Sequence, residues 1–137
     1  FKIYAQQVVK NAHFLAEELA KRGFKLVTGG TKNHLILIDI YASFGIDGKV
    51  AEHAMDAIGL TLNANSIPND TLSMFEPSGI RLGTPAVTSR GMKEVEMAKI
   101  AEWMELAIKW REDSKKLAEI KKEVADFARN FPLPSDL

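Results

Sequence analysis

An arginine within a segment of small and turn-forming residues is the first candidate for chemistry. The segment reads EPSGIRLGTPAVTSRGM over 76–92 and places Arg81 between Gly79 and Gly83. A guanidinium offers a planar fork of donors that matches a carboxylate or phosphate, and glycine neighbours let a small ligand approach the backbone. Arg81 is therefore a candidate anion-binding residue. The alternative is a strand arginine that pairs with a surface carboxylate, and composition alone favours that alternative.

A second polar cluster lies at the start of a long loop. Asn63, Asn65 and Ser66 offer donors and acceptors that suit a heterocycle with amide-like edges. The same residue types also satisfy the backbone in turns, so both interpretations stay open here. From 64 to 79 the composition is that of a loop, and a loop of this length in a compact domain is more often functional than idle.

Other residue types that could do chemistry are more scattered. His13, His34 and His53 lie far apart in a chain without cysteine, which makes a weak case for a metal site. We expect His13 and His53 to face solvent and His34 to be a hydrogen-bonded structural residue. The sequence contains neither a phosphate-binding glycine motif nor a G-x-S-x-G nucleophile motif.

Apolar periodicity predicts the elements that must position these residues. The predicted strands cover 24–28, 34–40, 60–63 and 80–83. The first predicted helix covers 1–22 and ends at Gly23. The second covers 48–58, is capped by Asp47 and has Val50 in its apolar stripe. Two or three further helical segments follow residue 84; one of them has Val95 in its apolar stripe, and a new helix starts at Asp113 or Ser114. This order predicts an α+β fold in which helices pack on a small, mostly antiparallel sheet.

Length and composition limit the functional classes. The 137 residues fit one domain, 1–137, and suffice for a core. A formal net charge of zero argues against broad electrostatic binding of nucleic acid or anionic membrane. The absence of cysteine favours a cytoplasmic location, and the longest apolar runs fall far short of the roughly 20 residues that a membrane span needs. The chain begins at Phe1 directly in helical sequence, which suggests a piece of a longer protein.

Four motifs together resemble one enzyme family in their order and spacing. They are YAQQVVKNA (4–12), LVTGGTKNHLILID (26–39), LNANSIPND (62–70) and SGIRLGTPAVTSRGM (78–92). The chain resembles the C-terminal part of serine hydroxymethyltransferase, a pyridoxal-phosphate enzyme of the aspartate-aminotransferase fold type. The resemblance implies the small C-terminal domain of a fold-type-I enzyme, without the N-terminal large domain that binds most of the cofactor.

The resemblance also implies roles for four residues. Arg81 matches the arginine that binds the α-carboxylate of the amino-acid substrate. Asn65 matches an asparagine that contacts the pteridine of tetrahydrofolate, and Ser73 and Phe75 match residues that line the folate site. The chain departs from the family pattern at four positions: Lys32 replaces an aspartate, Ala64 a lysine, Met74 a proline, and Glu76 an apolar residue.

In the intact enzyme, the resemblance implies interconversion of serine plus tetrahydrofolate with glycine plus 5,10-methylenetetrahydrofolate. The implied partners are the large domain and a second subunit in a homodimer. The family carries its Schiff-base lysine in a threonine-rich run ending in His-Lys, which these 137 residues lack, so we expect the chain alone to be inactive. A stand-alone, non-catalytic binding module with this fold is the alternative. The small domain of another fold-type-I enzyme is a third possibility, and the folate-linked NANSIPND segment argues against it.

Overall fold

The computed structural model describes residues 2–27 and 34–132, which contain six helices and four strands. The helices are α1 (Lys2–Lys21), α2 (Ile40–Phe44), α3 (Gly48–Ala57), α4 (Pro85–Ser89), α5 (Glu94–Lys109) and α6 (Ser114–Ala128). The strands are β1 (Lys25–Leu26), β2 (Leu35–Asp39), β3 (Asn63–Asn65) and β4 (Gly79–Gly83).

The four strands form one antiparallel sheet in the order β1-β2-β4-β3. β4 is therefore a central strand, paired on one side with β2 and on the other with β3. Its register sets Ile80 opposite Ile38 and Leu82 opposite Ile36. Because side chains alternate between the two faces of a strand, these residues share one face of the sheet. The predicted α+β class with a small antiparallel sheet is confirmed.

The helices cover the face of the sheet that carries these isoleucines. Ile36, Ile38 and Ile80 are buried in one hydrophobic cluster with residues of α1, α3, α5 and α6. α1 and α5 make the most extensive helix–helix contact, and α1 also contacts β1 and β2. The opposite face carries Arg81 and Asn63, which are both exposed to solvent; we call it the open face.

Several predicted boundaries agree with the structure. α1 ends at Lys21 and is followed by Gly23 with a φ of 93°, a left-handed conformation that glycine adopts without strain. Asp47 caps α3 by accepting a hydrogen bond from the Val50 amide. Asp113 caps α6 in the same way, through the Lys116 amide.

Other predictions were wrong. α2 was not foreseen because its five residues are too few to show a helical period, and residue 40 was assigned to a strand. Val50 and Val95 were placed in apolar stripes, yet they are 39% and 78% exposed, and each lies in the first turn of its helix. The third strand begins at Asn63 instead of 60. The predicted turn at 28–33, with Lys32, lies outside the described residues.

Candidate functional site

The open face brings the polar candidates of two separate segments together. Arg81 on β4 lies opposite Leu37 on β2 and Asn63 on β3. Directly opposed side chains of antiparallel strands point to the same face, so the Arg81 guanidinium and the Asn63 amide are neighbours. Both residues are exposed to solvent.

Arg81 is also distinguished from the other four arginines of the chain. Each of those donates to an acceptor: Arg22 to Glu105 at 3.0 Å, Arg90 to the Ala128 carbonyl at 3.2 Å, Arg111 to the Ile108 carbonyl at 2.7 Å, and Arg129 to Asp126 at 2.7 Å. Among the described residues, the side chain of Arg81 has no hydrogen bond and no carboxylate partner. A guanidinium with all its donors available on a central strand suits an external anion.

Asn65 lies on the same open face as Arg81. It pairs with Gly79, two residues before Arg81, so the two side chains are diagonal neighbours, typically about 7–8 Å apart. Its Nδ2 donates to the Ser66 carbonyl at 2.8 Å, whereas its amide oxygen has no partner within the described part of the chain. Asn65 is half-buried. The structure therefore brings Arg81 and Asn65 together on one surface.

A carboxylate on α3 holds β3 in this position. Glu52 Oε2 accepts a hydrogen bond from the Ala64 amide, between the two asparagines, at 2.8 Å. This bond lowers the pKa of Glu52 below its ordinary value, and the bond from Lys49 acts in the same direction. An ionised carboxylate makes the stronger acceptor, so the contact fixes the short strand against the helix.

The end of β4 is anchored to α1 by buried hydroxyl groups. Thr84 Oγ1 donates to the Val8 carbonyl at 2.7 Å, and Thr88 Oγ1 donates to the Thr84 carbonyl at 2.7 Å. Asn11 on α1 is fully buried, and its Nδ2 donates to Thr88 Oγ1 and to the Met92 carbonyl. Thr84 and Thr88, the threonines of the GTPAVTSRGM segment, therefore hold the strand that carries Arg81 in place.

The glycines around Arg81 serve the packing of the protein itself. A Cβ atom on Gly79 would lie 2.6 Å from Ile67 Cγ2 and 2.7 Å from the Asn65 carbonyl oxygen. A Cβ on Gly83 would lie 2.8 Å from the His34 carbonyl oxygen. Only glycine permits these close approaches. The approach at Gly79 brings the loop after β3 against the strand of Arg81, and the approach at Gly83 brings the residue before β2 against it.

The connection between β3 and β4, residues 66–78, is organised around one carboxylate. Asp70 accepts from the amides of Ile67, Leu72 and Ser78 at 3.3, 2.9 and 2.9 Å. It also accepts from the Ser78 hydroxyl at 2.5 Å. The Ser78 hydroxyl and amide lower the pKa of Asp70 to about 2, because both bonds stabilise the ionised form.

The two predicted folate-loop residues lie at the tip of this connection. Phe75 is 79% exposed, and Ser73 Oγ accepts a hydrogen bond from the Glu76 amide at 3.1 Å. Ser73 also lines a surface cavity of about 560 Å³, together with residues of α2, α3 and the loop itself. No contact between described residues joins Ser73 or Phe75 to Arg81, so the structure does not bring all four candidates together.

None of the described lysines fits the covalent attachment of pyridoxal phosphate. That cofactor reacts with a lysine amine held in an enclosed pocket. Every lysine in 2–27 and 34–132 lies at the surface or is only half-buried. Within the same ranges, no group of three or more histidine, aspartate or glutamate side chains could hold a metal ion. No helix found there has both the length and the apolar character needed to cross a membrane.

Sequence reasoning missed the residues that position the candidates. Glu52 and Asn11 act through partners that are distant in the chain, and nothing local in the sequence marks those partners. Asp70 could have been noticed, because an aspartate in a Pro-Asn-Asp turn commonly accepts bonds from nearby amides. His13 and His53 are exposed, as expected, and His13 lies 2.8 Å from Glu17.

Comparison with known proteins identifies relatives of the whole chain. A family model described as serine hydroxymethyltransferase matches residues 1–104. A curated serine hydroxymethyltransferase from Methanospirillum hungatei JF-1 is 50% identical over 137 residues, which is 100% of this chain and 33% of that protein. The chain thus spans about a third of the length of this relative.

Proposed function

The chain belongs to the serine hydroxymethyltransferase family, and from this premise we propose that it is the small C-terminal domain of such an enzyme. The intact enzyme would interconvert serine plus tetrahydrofolate with glycine plus 5,10-methylenetetrahydrofolate. Within it, residues 1–137 would form one domain that supplies part of the substrate site. A larger partner domain would hold pyridoxal phosphate.

The availability of Arg81 is the observation that carries this proposal. Its guanidinium lacks a carboxylate partner among the described residues, although the other arginines of the chain all have acceptors. Serine and glycine each present an α-carboxylate, which a guanidinium can bind through two parallel hydrogen bonds. We assign Arg81 to that carboxylate, which would orient the amino acid toward the cofactor held by the larger domain.

Asn65 is proposed to contact the pteridine ring of tetrahydrofolate. A pteridine edge carries amide-like donors and acceptors, and the Asn65 amide oxygen is an available acceptor on the face that carries Arg81. Ser73 and Phe75 are proposed to line the rest of the folate site. The exposed Phe75 ring offers an apolar surface to an aromatic part of that ligand.

The proposed location is the cytoplasm, and the proposed assembly is a homodimer in which each small domain packs against its own large domain. In this arrangement the open face would be covered by the large domain. A non-catalytic binding module with the same fold would instead leave that face free for another ligand.

An assay of a longer protein containing this chain tests the proposal. With pyridoxal phosphate supplied, it should release glycine from serine only when tetrahydrofolate is present. Amino transfer from serine to a 2-oxo acid should be far slower, which separates this enzyme from an aminotransferase. A coding region without the threonine-rich His-Lys run upstream of residue 1, or a protein inactive in the serine assay, would favour the binding module.

A further inference from the structure

Asp70 has no role in the proposed substrate contacts, yet its side chain binds to three parts of the segment between Asn65 and Arg81. Its two carboxylate oxygens accept four hydrogen bonds, from Ile67, Leu72 and both the amide and the hydroxyl of Ser78. These donors come from the start, the middle and the end of residues 66–78. The Asp70 side chain therefore holds the start, the middle and the end of this connection together.

Ile67 and Ser78, which both donate to Asp70, also connect the loop to the strand that carries Arg81. Ile67 lies over Gly79, where its Cγ2 would meet an added Cβ at 2.6 Å. Ser78 is buried and immediately precedes β4, and its carbonyl accepts from the amides of Ile40 and Tyr41 at the start of α2. The Asp70 bonds thus tie the loop to the strand of Arg81 and to the helix beside it.

The loop path after Asn65 supports the same role. Asn69 has a φ of 59°, a left-handed conformation that asparagine tolerates better than most residues, and it turns the chain immediately before Asp70. The Asp70 amide donates back to the Ile67 carbonyl at 3.1 Å. Without an acceptor at Asp70, the Ser78 amide and the Ser78 hydroxyl would each lose a bond in a buried position.

We propose that Asp70 is a positioning residue that fixes the folate-facing loop, with Asn65 at one end and Ser73 and Phe75 at its tip, relative to Arg81. This inference rests on the proposed function. Because Arg81 is also held by β2 and by the Thr84 anchor, loss of the Asp70 bonds should disturb the folate residues more than the arginine. Asp70 therefore supports the affinity for tetrahydrofolate and has little effect on the affinity for the amino acid.

The test measures two affinities by calorimetry in the longer, cofactor-loaded protein. Asp70→Asn keeps the size of the side chain but turns an amide NH₂ toward donors. We expect the Kd for tetrahydrofolate, measured with glycine present, to rise about tenfold, since charge-assisted hydrogen bonds of this kind are lost. The Kd for glycine alone should stay within a factor of about two, because contacts outside the loop hold Arg81. Asp56→Asn, an exposed aspartate on α3, is the matched control and should change neither Kd.

A second variant and a second measurement keep the inference testable if Asp70→Asn folds poorly. Ser78→Ala removes only the hydroxyl donor and should raise the Kd for tetrahydrofolate by a smaller factor in the same direction. In the 137-residue chain, hydrogen exchange of the peptide covering 66–79 should accelerate in Asp70→Asn while peptides from α1 and α5 keep their rates.

The outcomes separate two kinds of failure. A wild-type protein without serine- and tetrahydrofolate-dependent activity would defeat the proposed function itself. An active wild type whose Asp70→Asn variant keeps its tetrahydrofolate affinity, or loses glycine affinity to the same extent, would overturn the positioning role alone. Unchanged exchange in 66–79 would overturn it as well.

Discussion

At the scale of single residues, the distinction lies between side chains that contact their own protein and side chains that do not. Asp70, Glu52 and Thr84 have their bonding capacity taken up by neighbouring backbone groups. Arg81 and the Asn65 amide oxygen have no such partner among the described residues. The first group therefore shapes the surface, and the second group is available to a ligand.

Arg81→Lys tests the assignment of the arginine in the longer, active protein. A lysine ammonium cannot form two parallel hydrogen bonds to one carboxylate. Losing a charged hydrogen-bonded contact of this kind costs about 2–5 kcal/mol, so kcat/KM for serine should fall at least about tenfold. Arg129→Lys, which alters an exposed arginine paired with Asp126, is the control and should leave the kinetics unchanged. Unaltered kinetics in Arg81→Lys would remove Arg81 from the site.

Asp70 should also give the stability of the 137-residue chain a specific pH dependence. Its pKa is lowered to about 2 in the folded state, from an ordinary value of 3.8. A lowered pKa means that the ionised form stabilises the fold above about pH 4 and that this contribution is lost as the pH falls toward 2. Urea unfolding of wild type and Asp70→Asn should therefore differ most near neutral pH.

The difference in unfolding free energy between wild type and Asp70→Asn reports on the Asp70 carboxyl group alone. Glu52 and Glu94 also have lowered pKa values, through bonds from the Ala64 amide and from Gln7, but both are present in both proteins and cancel. The stability gap should narrow steadily below pH 4. A gap that stays constant down to pH 2 would show that the Asp70 bonds do not depend on its charge.

At the scale of elements, periodicity was enough to predict the long helices and the class of the sheet. α1, α3 and α6 have apolar stripes and capping residues within a few positions of their ends, so local sequence determines them. α2 is too short to show a period, and the position of β3 depends on its pairing with a strand on the far side of a long loop. Local patterns contain no information about such pairing.

In the candidate site, too, some features are local in the sequence and others depend on pairing between distant segments. The residue types of Arg81 and Asn65 could be recognised in the sequence, and the family resemblance implied the roles that we propose for them. Their presence on one face results from the β3–β4 register, which sequence periodicity does not reveal. The supports of the site, such as Glu52 and Asn11, depend on contacts between distant segments and could not be predicted.

Thr84→Val tests the anchor that joins β4 to α1. Valine keeps the shape of threonine but cannot donate to the Val8 carbonyl, so one buried hydrogen bond is lost. We expect the free energy of unfolding of the 137-residue chain to fall by about 1 kcal/mol, as for a typical intramolecular hydrogen bond. Thr61→Val, at an exposed position, is the control. Equal urea midpoints for Thr84→Val and wild type would show that the Thr84 bond contributes nothing net.

At the scale of the whole molecule, one hydrophobic cluster connects the sheet with α1, α3, α5 and α6. This shared core is the basis for expecting the 137 residues to fold without a partner. The open face and the exposed start of α1 lie outside that cluster. In the proposed enzyme both would meet the larger domain.

The 137-residue chain should bind no pyridoxal phosphate covalently and show no hydroxymethyltransferase activity. It lacks the threonine-rich His-Lys run, and its described lysines lie on or near the surface. After incubation with the cofactor and dialysis, no stoichiometric visible absorbance band should remain. The longer protein, treated in the same way, should keep its band. A persistent band in the short chain would contradict the assignment of the cofactor to the larger domain.

The 137-residue chain should also self-associate, in a symmetric dimer that uses the face around the first helix and the Arg81 strand. Ile3 and Val9 on α1 and Leu35 beside β4 are exposed apolar residues in this region, and uncovered apolar patches tend to find partners. Sedimentation over a wide concentration range should show a dimer that dissociates on dilution. Val9→Lys should weaken it, whereas Val50→Lys should not, although both valines are 39% exposed, because Val50 lies on α3 beside the cavity at Ser73. A strict monomer at high concentration, or equal effects of the two variants, would show that this face does not drive association.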